Sequence, residues 1–201
     1  MITPLALSGA PKLRVDTATG KVYAVGGARW EYPGAVSVSA DRGARWSAPQ
    51  TIPGPQPCTT IIPFLAPSCG YPGREFAVHD GILVSASEVG APTVVLHVSR
   101  DDGRHWENLP VTDSHHAPVA AGTGPLVPTP QLGAAADPVP WVSADPTRTG
   151  TFAVMVPRDA SLEVYTTGDA GHSWSGPAVI AAPDAQRPWM DYGPNGDLGV
   201  M

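Results

Sequence analysis

The chain has 201 residues, and 22 glycines with 24 prolines make up nearly a quarter of it, while charged residues are only 15%. Proline or glycine interrupts almost every stretch of a dozen residues, which excludes long helices, whereas a hydrophobic share of 42% still supplies a core and excludes disorder. The net charge of −6, with no lysine or arginine run, leaves no footprint for nucleic acid, and no apolar run approaches the roughly 18 residues of a membrane span. The expectation is a soluble all-β protein.

In chain order, Met1-Ile2-Thr3-Pro4-Leu5-Ala6-Leu7 has no basic segment and a short, proline-broken apolar stretch, so no signal peptide is visible. Such a start fits a cytoplasmic protein or a sequence whose true N-terminus lies elsewhere. A strand–turn–strand follows, from Leu13-Arg14-Val15 to Gly20-Lys21-Val22-Tyr23-Ala24-Val25. Next, Val36-Ser37-Val38 runs into Ser39-Ala40-Asp41-Arg42-Gly43-Ala44-Arg45-Trp46. The proline-rich segment from Pro53 to Gly73 holds the two cysteines, Cys58 and Cys69, eleven positions apart. That spacing suits a local disulfide worth about 2–3 kcal/mol, and a bridge implies an oxidising compartment; two free thiols are the alternative.

The pattern then recurs. Glu75-Phe76-Ala77-Val78 turns to Gly81-Ile82-Leu83-Val84, and Val94-Val95-Leu96-His97-Val98 enters Ser99-Arg100-Asp101-Asp102-Gly103-Arg104-His105-Trp106. After an Ala/Pro/Gly-rich connection, Trp141-Val142-Ser143 turns to Gly150-Thr151-Phe152-Ala153-Val154, and Leu162-Glu163-Val164-Tyr165-Thr166 enters Thr167-Gly168-Asp169-Ala170-Gly171-His172-Ser173-Trp174. A fourth copy, Arg187-Pro188-Trp189-Met190 to Gly196-Asp197-Leu198-Gly199-Val200-Met201, stops halfway.

Three segments thus share Ser/Thr-x-Asp-x-Gly-x-x-Trp, with aspartates 60 and 68 residues apart. The earlier turn glycines precede them by 21, 20 and 19 residues. Each unit is therefore a meander of four strands. In the motif the carboxylate accepts N–H groups of its own turn, the glycine supplies a left-handed residue, and the tryptophan plugs the returning strand. These aspartates are read as structural, in a hairpin between the third and fourth strands. Four-stranded units of this length make β-propeller blades, with a two-sheet sandwich as the alternative.

The motif resembles the Asp-box, or BNR repeat, of the sialidase superfamily, and the resemblance covers Arg14 to Met201. It implies a partial β-propeller of about three and a half blades in one domain, 1–201. Blade 1 is expected at about 11–52, the cysteine-containing loop at 53–73, blade 2 at about 74–111 and a Pro/Gly/Ala-rich loop at 112–140. Blade 3 is expected at about 141–181 and the start of blade 4 at 187–201. Asp-boxes also occur in xyloglucan-degrading propellers, sorting receptors and photosystem assembly factors. The implied function is an exo-α-sialidase-type glycoside hydrolase acting on extracellular glycans, bacterial by its composition. Its alternative is a non-catalytic scaffold binding carbohydrate or protein.

Sialidases hold the substrate carboxylate with an arginine cluster and use a tyrosine nucleophile activated by a glutamate, with an aspartate as acid/base. The candidates for the cluster are Arg14, Arg74 and Arg187, each near the start of a blade; no residue is assigned as the tyrosine or glutamate. The family's Arg-Ile-Pro-type motif has its nearest match in Arg14-Val15-Asp16, without the proline. A pocket over the axis would draw on Arg29-Trp30-Glu31-Tyr32, Tyr71, Arg74-Glu75, Glu88, His115-His116, Trp141, Arg158-Asp159, Asp184 and Arg187. No cofactor or metal is implied: His115 and His116 point to opposite sides of a strand and have no second ligand pair. The partner is a glycan or glycoconjugate, in a secreted or cell-surface parent protein. The fragment alone is expected to hydrolyse no sialoside and to self-associate through open blade faces exposing Val22, Ala24, Leu198 and Val200.

Overall fold

Three four-stranded antiparallel sheets and one two-stranded sheet follow each other along the chain. The computed structural model describes residues 7, 11–26, 34–53, 75–89, 93–120, 140–158, 160–183 and 188–201. The first blade orders β1 (Lys12–Val15), β2 (Val22–Gly26), β3 (Ala35–Ser39) and β4 (Gln50–Thr51) as a simple meander. The second does the same with β5 (Glu75–His79), β6 (Ile82–Val89), β7 (Thr93–Ser99) and β8 (Glu107–Pro110). The third uses β9 (Trp141–Ala144), β10 (Phe152–Pro157), β11 (Ser161–Thr167) and β12 (Ser175–Ala181). The fourth has β13 (Met190–Tyr192) and β14 (Leu198–Val200). No described residue is helical. This is the architecture the repeat predicts, a partial propeller.

Successive blades stack face to face, so the middle strands are apolar on both sides. In β10, Phe152, Val154 and Val156 join a core with Val84, Leu96 and Val98 of blade 2, while Ala153 and Met155 meet Met190 of the fourth sheet. Phe152 is fully buried, and truncating it to alanine costs about 3–5 kcal/mol. Between blades 1 and 2 the core is Tyr23, Val25, Val36, Val38 and Ile52 against Phe76, Val78 and Leu83. The first-to-second strand turns close through Gly20, Gly81, Gly150 and Gly196, whose φ values of 73°, 74°, 76° and 82° lie in the left-handed region.

The expected exposed residues differ from those found. Ala24 is fully buried, because it sits on a central strand between Leu13 of β1 and Ser37 of β3. Val22 is half-buried, and Leu198 and Val200 pack against blade 3. The large exposed apolar side chains include Leu13 and Val15, 53% and 60% exposed, and Trp189 and Met201 at the other end. The alternation of β1 explains the first pair: Lys12 and Arg14 turn toward blade 2, and Leu13 and Val15, which alternate with them, turn outward. The segment from 112 also begins as ordered structure. Val111 and Val119 are buried, the Val94 N–H donates to Val119 O, and Thr93 bridges Ala120.

Candidate functional site

The two ends of the propeller are built from different chemistry. In each blade the first-to-second and third-to-fourth strand turns share one rim, and there the three repeat motifs have the same geometry. Asp41 Oδ1 accepts the Arg45 N–H at 2.7 Å, Asp101 Oδ1 the His105 N–H at 2.9 Å, and Asp169 Oδ1 the Ser173 N–H at 2.9 Å. The preceding hydroxyls of Ser39, Ser99 and Thr167 donate to the same carboxylates and accept the N–H of Gly43, Gly103 and Gly171. Hydrogen bonds from His105, its backbone N–H foremost, and from Ser99 hold the Asp101 carboxyl at about 2. Burial pushes Asp169 up, but bonds from Ser173 and Thr167 outweigh it and leave this carboxyl at about 2 too. Ionised acceptors saturated by their own turns are poor proton carriers, so this chemistry closes hairpins.

Two consecutive left-handed residues complete each motif. Arg42, Asp102 and Ala170 have φ of 60°, 61° and 56°, and the glycines after them 90°, 84° and 97°. In the second and third motifs this projects the residue before the glycine, Asp102 or Ala170, onto the preceding blade, a consequence the sequence motif does not announce. The Trp106 and Trp174 indole N–H groups donate to Gly103 O and Gly171 O, which locks the rings against the turns.

The opposite end gathers the openings of the first strands. Lys12, Glu75, Trp141 and Met190 are the first residues of β1, β5, β9 and β13, and these strands neighbour one another in that order. The Lys12 ammonium pairs with the Glu75 carboxylate, which is 8% exposed, and lies 5.5 Å from the Trp141 ring centroid. The Trp141 indole N–H donates to Met190 O at 2.9 Å. Arg14, two residues into β1, stacks on the Phe76 ring at 5.7 Å and has no carboxylate partner among the described residues. Three blades thus bring a cation, a carboxylate, an indole face and a half-buried guanidinium to one end of the propeller, and the fourth anchors the indole through Met190 O. Such a set can grip a polyhydroxylated ring through the indole and a carboxylate through the arginine.

Two further polar clusters lie inside blades. Tyr165 OH donates to Glu163 Oε2 at 2.9 Å, and Arg158 pairs with the same oxygen. Burial, then Glu163, push the Tyr165 hydroxyl up to about 12, opposite to what a phenolate nucleophile needs. In blade 2, Ser87 Oγ lies 2.6 Å from His97 Nε2, and His97 Nδ1 lies 2.7 Å from Asn108 Oδ1. Asn108 Oδ1 is an acceptor only, so Nδ1 carries the proton and Ser87 donates to Nε2. Ser87 is fully buried and His97 1% exposed, and burial lowers the imidazole's basicity, so this relay is a neutral structural ladder.

Of the expected pocket residues, Glu75 and Trp141 meet at the axial entrance and Arg14 lies beside them. Arg158 is engaged within blade 3, and His115 and His116 lie on an exposed turn around Asp113. Arg74, Arg187, Cys58 and Cys69 lie outside the described residues, as do Arg29-Trp30-Glu31-Tyr32, Tyr71, Asp159 and Asp184; so does the Glu88 side chain. Lys12 is absent from the sequence reading, although its alternation with Leu13, Arg14 and Val15 marks a basic face. Among the described residues, no group of three or more His, Cys, Asp or Glu is placed to hold a metal, and no helix is long and apolar enough to cross a membrane.

No family model and no curated protein matches the sequence. Solved structures do resemble the fold. The NanB sialidase of Streptococcus pneumoniae bound to 2-[(3-chlorobenzyl)ammonio]ethanesulfonate superposes with a TM-score of 0.52 at 15% identity, covering 96% of this chain and 28% of that one. A point mutant of the same sialidase gives 0.53 at 12% identity, covering 94% and 26%. The chain therefore spans about a quarter of these two sialidase structures, and shares with them the propeller fold.

Proposed function

We propose that this chain is part of a sialidase-like glycoside hydrolase propeller acting on extracellular glycans, and that alone it binds glycan without cleaving it. The observation that carries this is the axial entrance, where Lys12, Glu75 and Trp141 converge from three blades beside Arg14. The fold likeness to sialidases supports the class. The recognition residues are Arg14, Lys12 and Trp141, with Arg74 and Arg187 as the remaining carboxylate-binding candidates. Glu75 is held by Lys12 and Tyr165 is buried in its blade, which favours recognition over chemistry for this chain. A secreted or cell-surface setting, a Cys58–Cys69 bridge and self-association through the face of Leu13 and Val15 belong to the same proposal.

Calorimetric titration with 3′-sialyllactose tests it. Binding is expected, weakened at least tenfold (about 1.4 kcal/mol) in Trp141→Ala and in Arg14→Gln, with no release from a fluorogenic sialoside. Turnover by the chain alone, or binding indifferent to both substitutions, contradicts it.

A further inference from the structure

We infer that the motif-bearing rim carries a second binding site, a groove between blades 1 and 2 that takes an acidic monosaccharide residue. The inference is independent of the axial entrance, which lies at the other end of the blades. The groove, of about 210 Å3, is bounded by Lys21, Val38, Ser47 and Gln50 of blade 1 and by Asp102 and Arg104 of blade 2. That is below the roughly 300–1,000 Å3 that encloses drug-sized ligands, so its occupant is a single sugar-sized group.

The equivalent joint between blades 2 and 3 shows what the groove replaces. Where blade 1 presents Lys21, Tyr23 and Gln50, blade 2 presents Ile82, Val84 and Leu109; where blade 2 projects Asp102, blade 3 projects Ala170. Those apolar residues pack into the core. The polar set instead holds Asp102 with both oxygens on the Lys21 ammonium at 2.8 Å and the Tyr23 hydroxyl at 2.8 Å. The Arg104 side chain makes no hydrogen bond or ion pair among the described residues and acts on Asp102 only through space, while its counterpart His172 lies 3.8 Å from Glu107.

The lining selects its ligand by charge. With Lys21 neutralised by Asp102, the unpaired Arg104 guanidinium is the residual charge, and it suits a carboxylate. The Gln50 amide, one of whose N–H groups donates to Ala48 O, keeps its oxygen and second N–H for a sugar hydroxyl; the Ser47 hydroxyl, which accepts the Val38 N–H and donates to Ala48 O, keeps one lone pair; and Val38 offers an apolar floor for a ring. A neutral sugar leaves Arg104 unpaired, and a free amino acid brings its ammonium beside Lys21.

Calorimetry on the full chain with sodium glucuronate, glucose and acetate tests the site. Glucuronate is expected to bind, glucose and acetate at least tenfold more weakly. Arg104→Gln is expected to weaken glucuronate at least tenfold, whereas Arg45→Gln, on the same rim outside the groove, leaves it unchanged. Equal binding of acetate shows a bare carboxylate site and overturns the saccharide assignment. Loss in Arg45→Gln shows general charge attraction, and loss in Arg14→Gln without loss in Arg104→Gln moves glucuronate to the axis; either result, or no binding, overturns the groove.

Discussion

The two complete joints between blades have the same backbone and different contents. Both seat a left-handed motif residue and its glycine on the previous blade, yet the first joint is a hydrogen-bonded ion pair and the second an apolar contact. The lesson is that the repeat specifies turn geometry, while the residue between its Asp and Gly chooses the chemistry of the seam. An ion pair taken partly out of water returns little net stability over an apolar pair of similar shape. The polar seam is therefore better explained by what it leaves open than by strength.

The largest expected effect breaks both joints through their common element. A Cβ on Gly103 would lie 2.3 Å from Val36 Cγ1, a stiff β-branched side chain, at a φ of 84°. Gly103→Ala should cost about 2–5 kcal/mol by calorimetry. A Cβ on Gly171 would lie 3.0 Å from Leu96 Cδ2, the far end of a more flexible chain, so Gly171→Ala should cost less, about 1–3 kcal/mol. The reverse order would contradict the tighter and stiffer seat of Gly103 against Val36.

Next comes the seam itself. Asp102→Ala leaves the Tyr23 hydroxyl without its acceptor in a fully buried residue, and should cost about 1–3 kcal/mol. Importing the apolar solution, Lys21→Ile with Tyr23→Phe and Asp102→Ala, should return stability to within about 1 kcal/mol of the parent. Denaturant titration of the two variants separates them, and a triple variant as weak as the single one would mean the ion pair is needed for stability.

Legibility followed the same division. Turn glycines, strand order and the hydrogen bonds of the aspartates to their own turns can be read from spacing, because a left-handed residue and a carboxylate that accepts nearby N–H groups leave a local signature. Which blade a side chain faces cannot, since Leu13 and Val15 look like core and Lys12 and Arg14 like surface until β1 is placed beside Phe76. The Lys21–Asp102 contact spans 81 positions and has no local trace. Arg14 was legible as a candidate, whereas Arg104 needed the comparison with His172.

A smaller effect is pH dependence. The folded carboxyls of Asp101 and Asp169 lie at about 2, below the ordinary 3.8, so the unfolded chain binds protons first as pH falls. Their contribution is complete above pH 4 and is lost between about 4 and 2. Asp169→Asn should lower the melting temperature at pH 7 and differ less from the parent at pH 2; a constant difference would place the stabilisation elsewhere. His97 acts in the same direction at higher pH: its lowered basicity makes the fold lose stability as pH drops below about 6.5.

The most direct measurement follows the indole N–H resonances during titration with 3′-sialyllactose. Trp141 donates to Met190 O at the axial entrance, whereas Trp106 and Trp174 donate to their own turns on the opposite rim. The account predicts that the Trp141 signal moves while Trp106 and Trp174 stay fixed. A silent Trp141, or shifts confined to Trp106 and Trp174, would contradict glycan recognition at the axis.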